Sequence, residues 1–446
     1  MAKELSRRDV LKGSAAAVVG LAMGNAAAAS SPQQETPKLS TGRLRFGIIG
    51  CGGKGWSGME GAAQFGDIVA LADIDADNRT KAMLEHPRAC AFDDYRAMLE
   101  AMRGKLDAVV ISTPDHHHAI ASSLAMHQGL HCYTEKPLCR TIWEARQLAR
   151  MARDRKLATQ MGNQSTASTN MRKAAALIQS GAFGAPKEVY LWTDRAKGWW
   201  PQGVDRPKPT RVPKHLDWDT WLGPRPARPY AEGYHPFAWR GWWDFGTGSL
   251  GDMGCHIFNM AFMALDLRDP IAVQADTSGH NHDSFPEWAI VHYEFGERHG
   301  RPPIKLTWHD GGKKPDPDLC PGFTYGGNGS IVVCEKATIY SPDELNTTFN
   351  IVGSNAQIGA PGGPDIKVDE SPGHMAEFAR AALGGQPARS NFPDYSGPLA
   401  ETVLLGNLAI WSNGPRLEWD ARRMEVKGTH EFDGLIKPTF NEGWGV

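Results

Sequence analysis

The chain has 446 residues, a formal net charge of −2, and 22% charged residues of mixed sign. That length can bury two sizeable cores, and the balance excludes the strong basic excess of a nucleic-acid footprint. Its seven cysteines (Cys51, Cys90, Cys132, Cys139, Cys255, Cys320 and Cys334) are scattered, odd in number and free of C-x-x-C spacing. Neither a disulfide framework nor a cysteine-based zinc site is indicated, although a Cys320–Cys334 bridge stays open.

Ser6-Arg7-Arg8-Asp9-Val10-Leu11-Lys12 is a twin-arginine pattern, and an alanine-, glycine- and valine-rich run follows from Gly13 to Ala29. Ala27-Ala28-Ala29 offers a small-residue cleavage site. The run is short and poor in leucine, unlike a stable membrane anchor. The expectation is an export signal at 1–29, a periplasmic destination, and a disordered linker at 30–42 rich in Ser, Pro, Gln, Glu, Thr and Lys. Whether the signal is cleaved stays open.

Leu44–Ile49 reads as a buried strand that runs directly into Gly50-Cys51-Gly52-Gly53-Lys54-Gly55, a G-x-G-x-x-G opening a helix. Alone the hexapeptide is weak in so glycine-rich a chain. Its context is not weak, because a second apolar strand, Ile68–Ala72, ends at Asp73 at the spacing expected for a ribose-binding acid. Glycines at Gly50, Gly52, Gly53 and Gly55 permit a tight turn and close approach of a pyrophosphate to the helix N-terminus. The Asp73 carboxylate suits a ribose diol and would repel a 2′-phosphate, which favours NAD over NADP. Arg79 is the nearest basic residue that could reverse that preference.

Leu106–Ile111 reads as a central strand, followed by a helix from about His118 to His127. His131–Thr134 is the next strand, with Glu135-Lys136-Pro137 at its carboxyl end. Ligands of doubly wound sheets bind outside the carboxyl ends of strands, which sets Lys136 towards the nicotinamide side. Thr141 and Glu144 form a capping box for the helix that runs to about Arg155. His116-His117-His118 invites a metal reading, but adjacent loop residues rarely converge on one ion, and no metal site is expected.

The second half changes character. A helix over 168–180 and a strand over Lys187–Thr193 precede an irregular, proline-rich segment at 195–245. Eight of the 15 tryptophans fall between Trp192 and Trp243, a density suited either to stacking on sugar rings or to packing the segment onto a sheet. Strand-like runs at 271–276, 287–295, 303–309, 330–334 and 337–340 suggest an antiparallel sheet, and helices follow at 373–384 and 396–411. Between them lies Gly246-Thr247-Gly248-Ser249-Leu250-Gly251-Asp252-Met253-Gly254-Cys255-His256, in which Asp252 and His256 share a helical face. Histidine suits removal of a hydroxyl proton as hydride leaves the same carbon, and a nearby carboxylate would raise its basicity. The structural alternative is equally specific: Ser249-x-x-Asp252 is itself a capping box, and His256 could be a satisfied core histidine.

Gly50-x-Gly52-x-x-Gly55, Asp73, Thr113-Pro114 with His118, Glu135-Lys136-Pro137 and Asp252-x-x-x-His256 occur in an order that resembles the glucose–fructose oxidoreductase / inositol dehydrogenase / MocA (Gfo/Idh/MocA) family. The resemblance covers essentially the whole chain after residue 42. It implies an α/β protein: an N-terminal Rossmann doubly wound parallel sheet (43–165), then an α/β domain with a large, mainly antiparallel open sheet (166–446) that often builds a homo-oligomer. It further implies NAD contacts from Thr113, Pro114, His118, Glu135 and Lys136, an active-site lysine at Lys136, and substrate contacts from Asp252 and His256, with His256 the acid/base. Many members carry an aspartate three residues after the histidine, where this chain has Asn259.

The expected activity is hydride transfer between NAD and a secondary hydroxyl of a sugar or sugar derivative, with tightly held cofactor. Two alternatives stay open: an NAD-dependent glycosidase that oxidises its substrate transiently, and a non-catalytic sugar- or nucleotide-binding protein. No nucleic-acid or membrane partner is expected after processing.

Overall fold

The computed structural model describes residues 42–196, 198–353 and 366–446. The expected export signal and nearly all of the expected linker lie outside these residues. No helix among the described residues is long and apolar enough to cross a membrane.

Six strands form the first sheet: β1 (Leu44–Ile49), β2 (Gly66–Ala72), β3 (Cys90–Phe92), β4 (Ala108–Ile111), β5 (His131–Thr134) and β6 (Thr159–Met161). They are parallel throughout, in the order β3-β2-β1-β4-β5-β6. β4 is buried at every residue and β1 at all but one, as expected for strands covered on both faces. The covering helices are α1 (Lys54–Ala63), α2 (Ala76–Glu85), α3 (Tyr95–Ala101), α4 (Asp115–His127) and α5 (Ile142–Asp154). α2 and α3 are absent from the sequence reading, yet each is capped by an aspartate, Asp75 and Asp94, whose side chains accept backbone N–H bonds. α5 opens with the expected capping box. α4 starts three residues before the expected position because Pro114 presets the entry angle and Asp115 sets a carboxylate in the first turn. The strand order reverses between β1 and β4, and their carboxyl ends therefore flank a ligand crevice.

α6 (Thr169–Gln179) leads to β7 (Pro186–Thr193), and the described residues of the irregular segment include α7 (Trp218–Leu222) and a short 3₁₀ turn at Ala238–Gly241. α8 (Gly248–Ile257) and α9 (Asn259–Leu265) precede β8 (Ala272–Thr277), β9 (Ala289–Phe295), β10 (Ile304–His309), β11 (Asn328–Cys334), β12 (Thr338–Ser341) and β13 (Asn350–Val352). The chain ends with α10 (His374–Ala382), α11 (Gly397–Ser412), β14 (Leu417–Asp420), β15 (Glu425–Val426) and α12 (Asp433–Ile436). The second sheet has nine strands in the order β13-β12-β11-β7-β10-β9-β8-β14-β15. It is antiparallel except where β7 and β10 run parallel, because β7 enters from the first half and is inserted between strands that follow it.

β9 and β10 alternate: Val291, Tyr293, Leu306 and Trp308 are buried, whereas His292 and Lys305 face outward. The face formed by these buried residues is apolar and lies beneath α8 and α11; the opposite face is polar along β9 and β10 but carries a second apolar cluster, Trp192, Ile331 and Tyr340, on β7, β11 and β12. α10 returns to the first sheet, where Phe378 packs with Phe46 and Tyr133. All seven cysteines are free thiols, Cys320 and Cys334 included. Within the irregular segment Trp218, Trp221, Trp242, Tyr230, Tyr234 and Phe245 form their own buried cluster. For Trp218 and Trp242 the packing alternative is therefore the correct one.

Candidate active site

The β1–α1 turn is shaped by four glycines. Gly50 takes φ +83°, and a Cβ there would stand 2.7 Å from the Ser112 carbonyl oxygen. A Cβ on Gly55 would collide with the Gly50 carbonyl. These two close the turn against β4, and Gly55 packs behind the crevice without lining it. Gly53, at φ +49°, has no atom within 4 Å of where a Cβ would be, which leaves the N-terminus of α1 open to a ligand. Gly52 faces the Asn78 side-chain amide.

Asp73 stands at the end of β2. Its carboxylate accepts the backbone N–H of Cys51 at 2.7 Å and that of Asp75 at 2.9 Å, which ties it to the glycine turn. Burial pushes its carboxyl up from the ordinary value, and those N–H donors offset part of the effect. Arg79 donates to the Asp73 carbonyl at 2.6 Å and does not line the crevice. Asp73→Ala is expected to weaken NAD binding and to relax discrimination against NADP, because the repulsive carboxylate is gone. Titration of both dinucleotides against parent and variant checks this, and a parent that binds NADP as well as NAD would contradict it.

A cavity of about 740 Å³ opens between the carboxyl ends of the first sheet and the second half. Gly50, Gly52, Gly53, Asp73, Thr113, Pro114, His118, Glu135, Lys136, Asp252 and His256 all line it. The residues present fit a dinucleotide. Beyond the open floor at Gly53, the hydroxyls of Ser112 and Thr113 are buried in the wall with no hydrogen-bond partner. The three consecutive histidines instead meet backbone carbonyls: His116 and His117 that of Trp221, and His118 those of Thr113 and Pro137. His118 thereby braces the loops after β4 and β5. Gln164 donates to Glu135 at 3.0 Å and holds the neighbouring turn.

At the other end of the cavity Lys136 meets α8. Its ammonium donates to Asp252 Oδ1 at 2.7 Å and to the Asp252 carbonyl at 2.8 Å. Arg240 Nε donates to the same Oδ1 at 2.8 Å. Burial alone would raise the Asp252 carboxyl, but the two cations outweigh it and hold the group well below the usual carboxylate range. Asp252 turns its hydrogen bonds to Lys136 and Arg240 and not to His256, although its charge still raises the imidazole's basicity, as the shared helical face implies. The His256 imidazole is pushed well below its ordinary value, first by burial and then by Lys136, with Asp252 opposing. It is neutral at pH 7, and its Nδ1 has no hydrogen-bond partner. The suggested Ser249–Asp252 capping box does not form: α8 starts after Thr247, and Ser249 donates to the Arg195 carbonyl. Asn259 is structural, accepting from Tyr395 at 2.6 Å and donating to Ser165 at 2.7 Å away from the cavity.

Sequence reasoning missed Arg240, whose Nη1 is buried without a partner and whose guanidinium lies 4.3 Å from the centre of the Trp239 ring. It also missed Asp115, a buried wall residue with one carboxylate oxygen bonded by Thr247 at 2.6 Å and the other unpartnered. Trp199, Trp200, Trp221 and Trp239 line the cavity, and Trp221 and Trp239 also belong to the buried cluster of the irregular segment. Arg240 sits in an irregular stretch whose pairing with Asp252 no local pattern encodes.

Residues 44–163 match the model described as oxidoreductase family, NAD-binding Rossmann fold, and residues 167–304 that of the oxidoreductase family C-terminal alpha/beta domain, named GFO_IDH_MocA. Residues 4–24 match the twin-arginine translocation signal. Among curated relatives, the UDP-N-acetylglucosamine 3-dehydrogenase of Acidithiobacillus ferrooxidans is 30% identical over 162 residues, 36% of this chain and 48% of that protein. A glycosyl hydrolase family 109 protein of Solibacter usitatus is 34% identical over 153 residues, 31% of this chain and 35% of that one. The matched stretch thus spans about half the length of the first relative and about a third of the second. The solved inositol dehydrogenase homolog of Azotobacter vinelandii, complexed with NADH and myo-inositol, superposes with a TM-score of 0.58 at 17% identity, over 85% of this chain and 98% of that one.

Proposed function

We propose a specific activity for this chain, which belongs to the Gfo/Idh/MocA oxidoreductase family: hydride exchange between NAD and a secondary carbinol carbon of a sugar derivative. The observation that carries the reading is that Lys136, Asp252 and His256 converge on the same cavity as the dinucleotide cradle of Gly50, Gly53 and Asp73. A bound nicotinamide supplies the hydride acceptor and donor. Neutral His256 takes or returns the hydroxyl proton. An ammonium has three N–H donors; Lys136 commits two to Asp252, which leaves the third for the reacting oxygen as negative charge develops on it. Asp252 and Arg240 fix the direction of that ammonium. Trp199, Trp200 and Trp239 offer apolar faces for a sugar ring.

The twin-arginine signal supports export, and the periplasm is the proposed destination. Twin-arginine export carries folded proteins, so NAD captured in the cytoplasm can cross with its enzyme, and little free NAD should await it outside. The cycle is accordingly closed: each hydride taken from a substrate carbon returns to the same molecule or to a second sugar. Retention through export calls for a Kd at or below about 1 μM. The face of the second sheet that lies away from α8 and α11 is the surface through which copies would pair. Dialysed periplasmic protein assayed without added cofactor tests the cycle. Retained activity is expected, whereas NADH accumulating in proportion to product, with fresh NAD required, would identify an ordinary dehydrogenase.

The glycosyl hydrolase family 109 relatives favour one second reading. Oxidation of a ring hydroxyl acidifies the adjacent C–H and permits loss of the glycosidic oxygen before hydride is restored. Release of aglycone from aryl glycosides without net NADH would distinguish that outcome.

A further inference from the structure

The dinucleotide cradle accounts for one side of the adenosine half of the cavity, the side marked by Asp73, Asn78 and Tyr95. The irregular segment lines the same cavity through Thr220, Trp221, His235 and Pro236, with His235 3.8 Å from the Asp75 carboxylate. This segment is joined to the first sheet at the residues that follow the ribose acid. Leu216 pairs with Asp75 in an antiparallel bridge, Ala76 N–H donates to the His215 carbonyl at 2.8 Å, and Asp217 N–H donates to the Ile74 carbonyl at 3.1 Å. Asp75 N–H in turn bonds the Asp73 carboxylate. The Trp221 carbonyl accepts from both His116 and His117 at 2.8 Å.

The C-terminal residues secure the segment from outside. Asn441 donates its side-chain amide to the carbonyls of Gly223 at 3.1 Å and Arg225 at 2.6 Å, just beyond α7. Trp444 packs edge-on against His117 and Tyr95, and the Arg96 guanidinium lies 3.8 Å from the centre of its ring. A Cβ on Gly223 would stand 3.1 Å from the Trp444 ring, so the tail and the segment are in close contact. Neither Asn441 nor Trp444 lines the cavity.

We propose that residues 215–236 form a strap over the adenosine half of the dinucleotide site, and that Asn441 and Trp444 are positioning residues that hold the strap shut and so set how slowly the dinucleotide leaves. The inference rests on the NAD-binding reading of the cavity. It supplies the retention that export with a bound cofactor requires. Departure from the adenosine side needs the Asp75–Leu216 bridge and the Trp221 carbonyl contacts to part, and the tail bears directly on the same residues.

The test uses full-length parent, Asn441→Ala, the double variant Asn441→Ala/Trp444→Ala, and Trp444→Phe, each loaded with NADH and chased with excess NAD while bound-NADH fluorescence is followed. Loss of the two amide bonds and the cation–π contact is expected to speed exchange by about tenfold or more in the double variant. Asn441→Ala alone is expected to fall between parent and double variant, and it stands in for the double variant should that not fold. The emission spectrum of bound NADH, which reports the nicotinamide end, is expected to stay at the parent's, and Trp444→Phe to keep slow exchange. Exchange within about twofold of the parent in the variants would overturn the proposal, since the lost contacts would then carry no retention. So would a changed emission spectrum with no rescue by phenylalanine, which marks general loosening. A parent that binds no NADH at all would refute the NAD-binding reading itself, a result distinct from either.

Discussion

Lys136→Met is expected to lower turnover by roughly 10²–10⁴, the usual worth of one positioned acid–base or charge-stabilising group. Methionine approximates the stem and removes all three donors. The fold should survive the change. Stripping a buried carboxylate of its partner costs about 3–5 kcal/mol when nothing else compensates it, but Asp252 keeps the Arg240 guanidinium at 2.8 Å. Dinucleotide content should stay at the parent level, because Asp73 and the Gly50–Gly55 turn are held by their own backbone bonds, which the substitution leaves intact. Single-turnover kinetics with substrate and measured bound cofactor check both parts. Turnover within about threefold of the parent would remove Lys136 from the mechanism.

His256→Gln is expected to cost a similar factor, about 10²–10⁴, and the parent's pH profile gives the role its signature. Burial and the Lys136 ammonium depress the imidazole, and Asp252 only partly opposes them. The neutral, proton-accepting form therefore persists as pH falls past about 6.5, the unperturbed histidine value. In the oxidation direction kcat/KM should stay level there and decline only at lower pH. The sign for stability is the same: the unfolded chain binds a proton at this residue that the native state refuses, so the contribution is present above about pH 6.5 and is lost as pH falls. A half-loss of kcat/KM at an ordinary histidine pKa would contradict the buried, Lys136-facing placement, and a variant with near-parent turnover would exclude His256 as the base.

The Rossmann half was legible because its signals are local. A strand, a glycine turn and an acid at the end of the next strand are fixed by backbone geometry over about thirty residues. The long helices and most strands of the second half followed from period and turn residues as well. α2 and α3 were not foreseen because neither presents a long apolar stripe; α2 buries only Ala82. The Asp252–His256 spacing correctly places both on α8, but spacing along a helix says nothing about which distant cations compete for the carboxylate. Lys136, 116 residues away, and Arg240, from an irregular stretch, take it instead. The tail residues Asn441 and Trp444 carried no signal at all, since their partners are carbonyls and rings brought near only by the folded chain.

The most direct test of an enzyme built around resident NAD is mass spectrometry of the purified protein after denaturation. The account predicts NAD or NADH released in near-equal amount to protein, without any added during purification. Protein that carries no dinucleotide, or that carries NADP in its place, would contradict it.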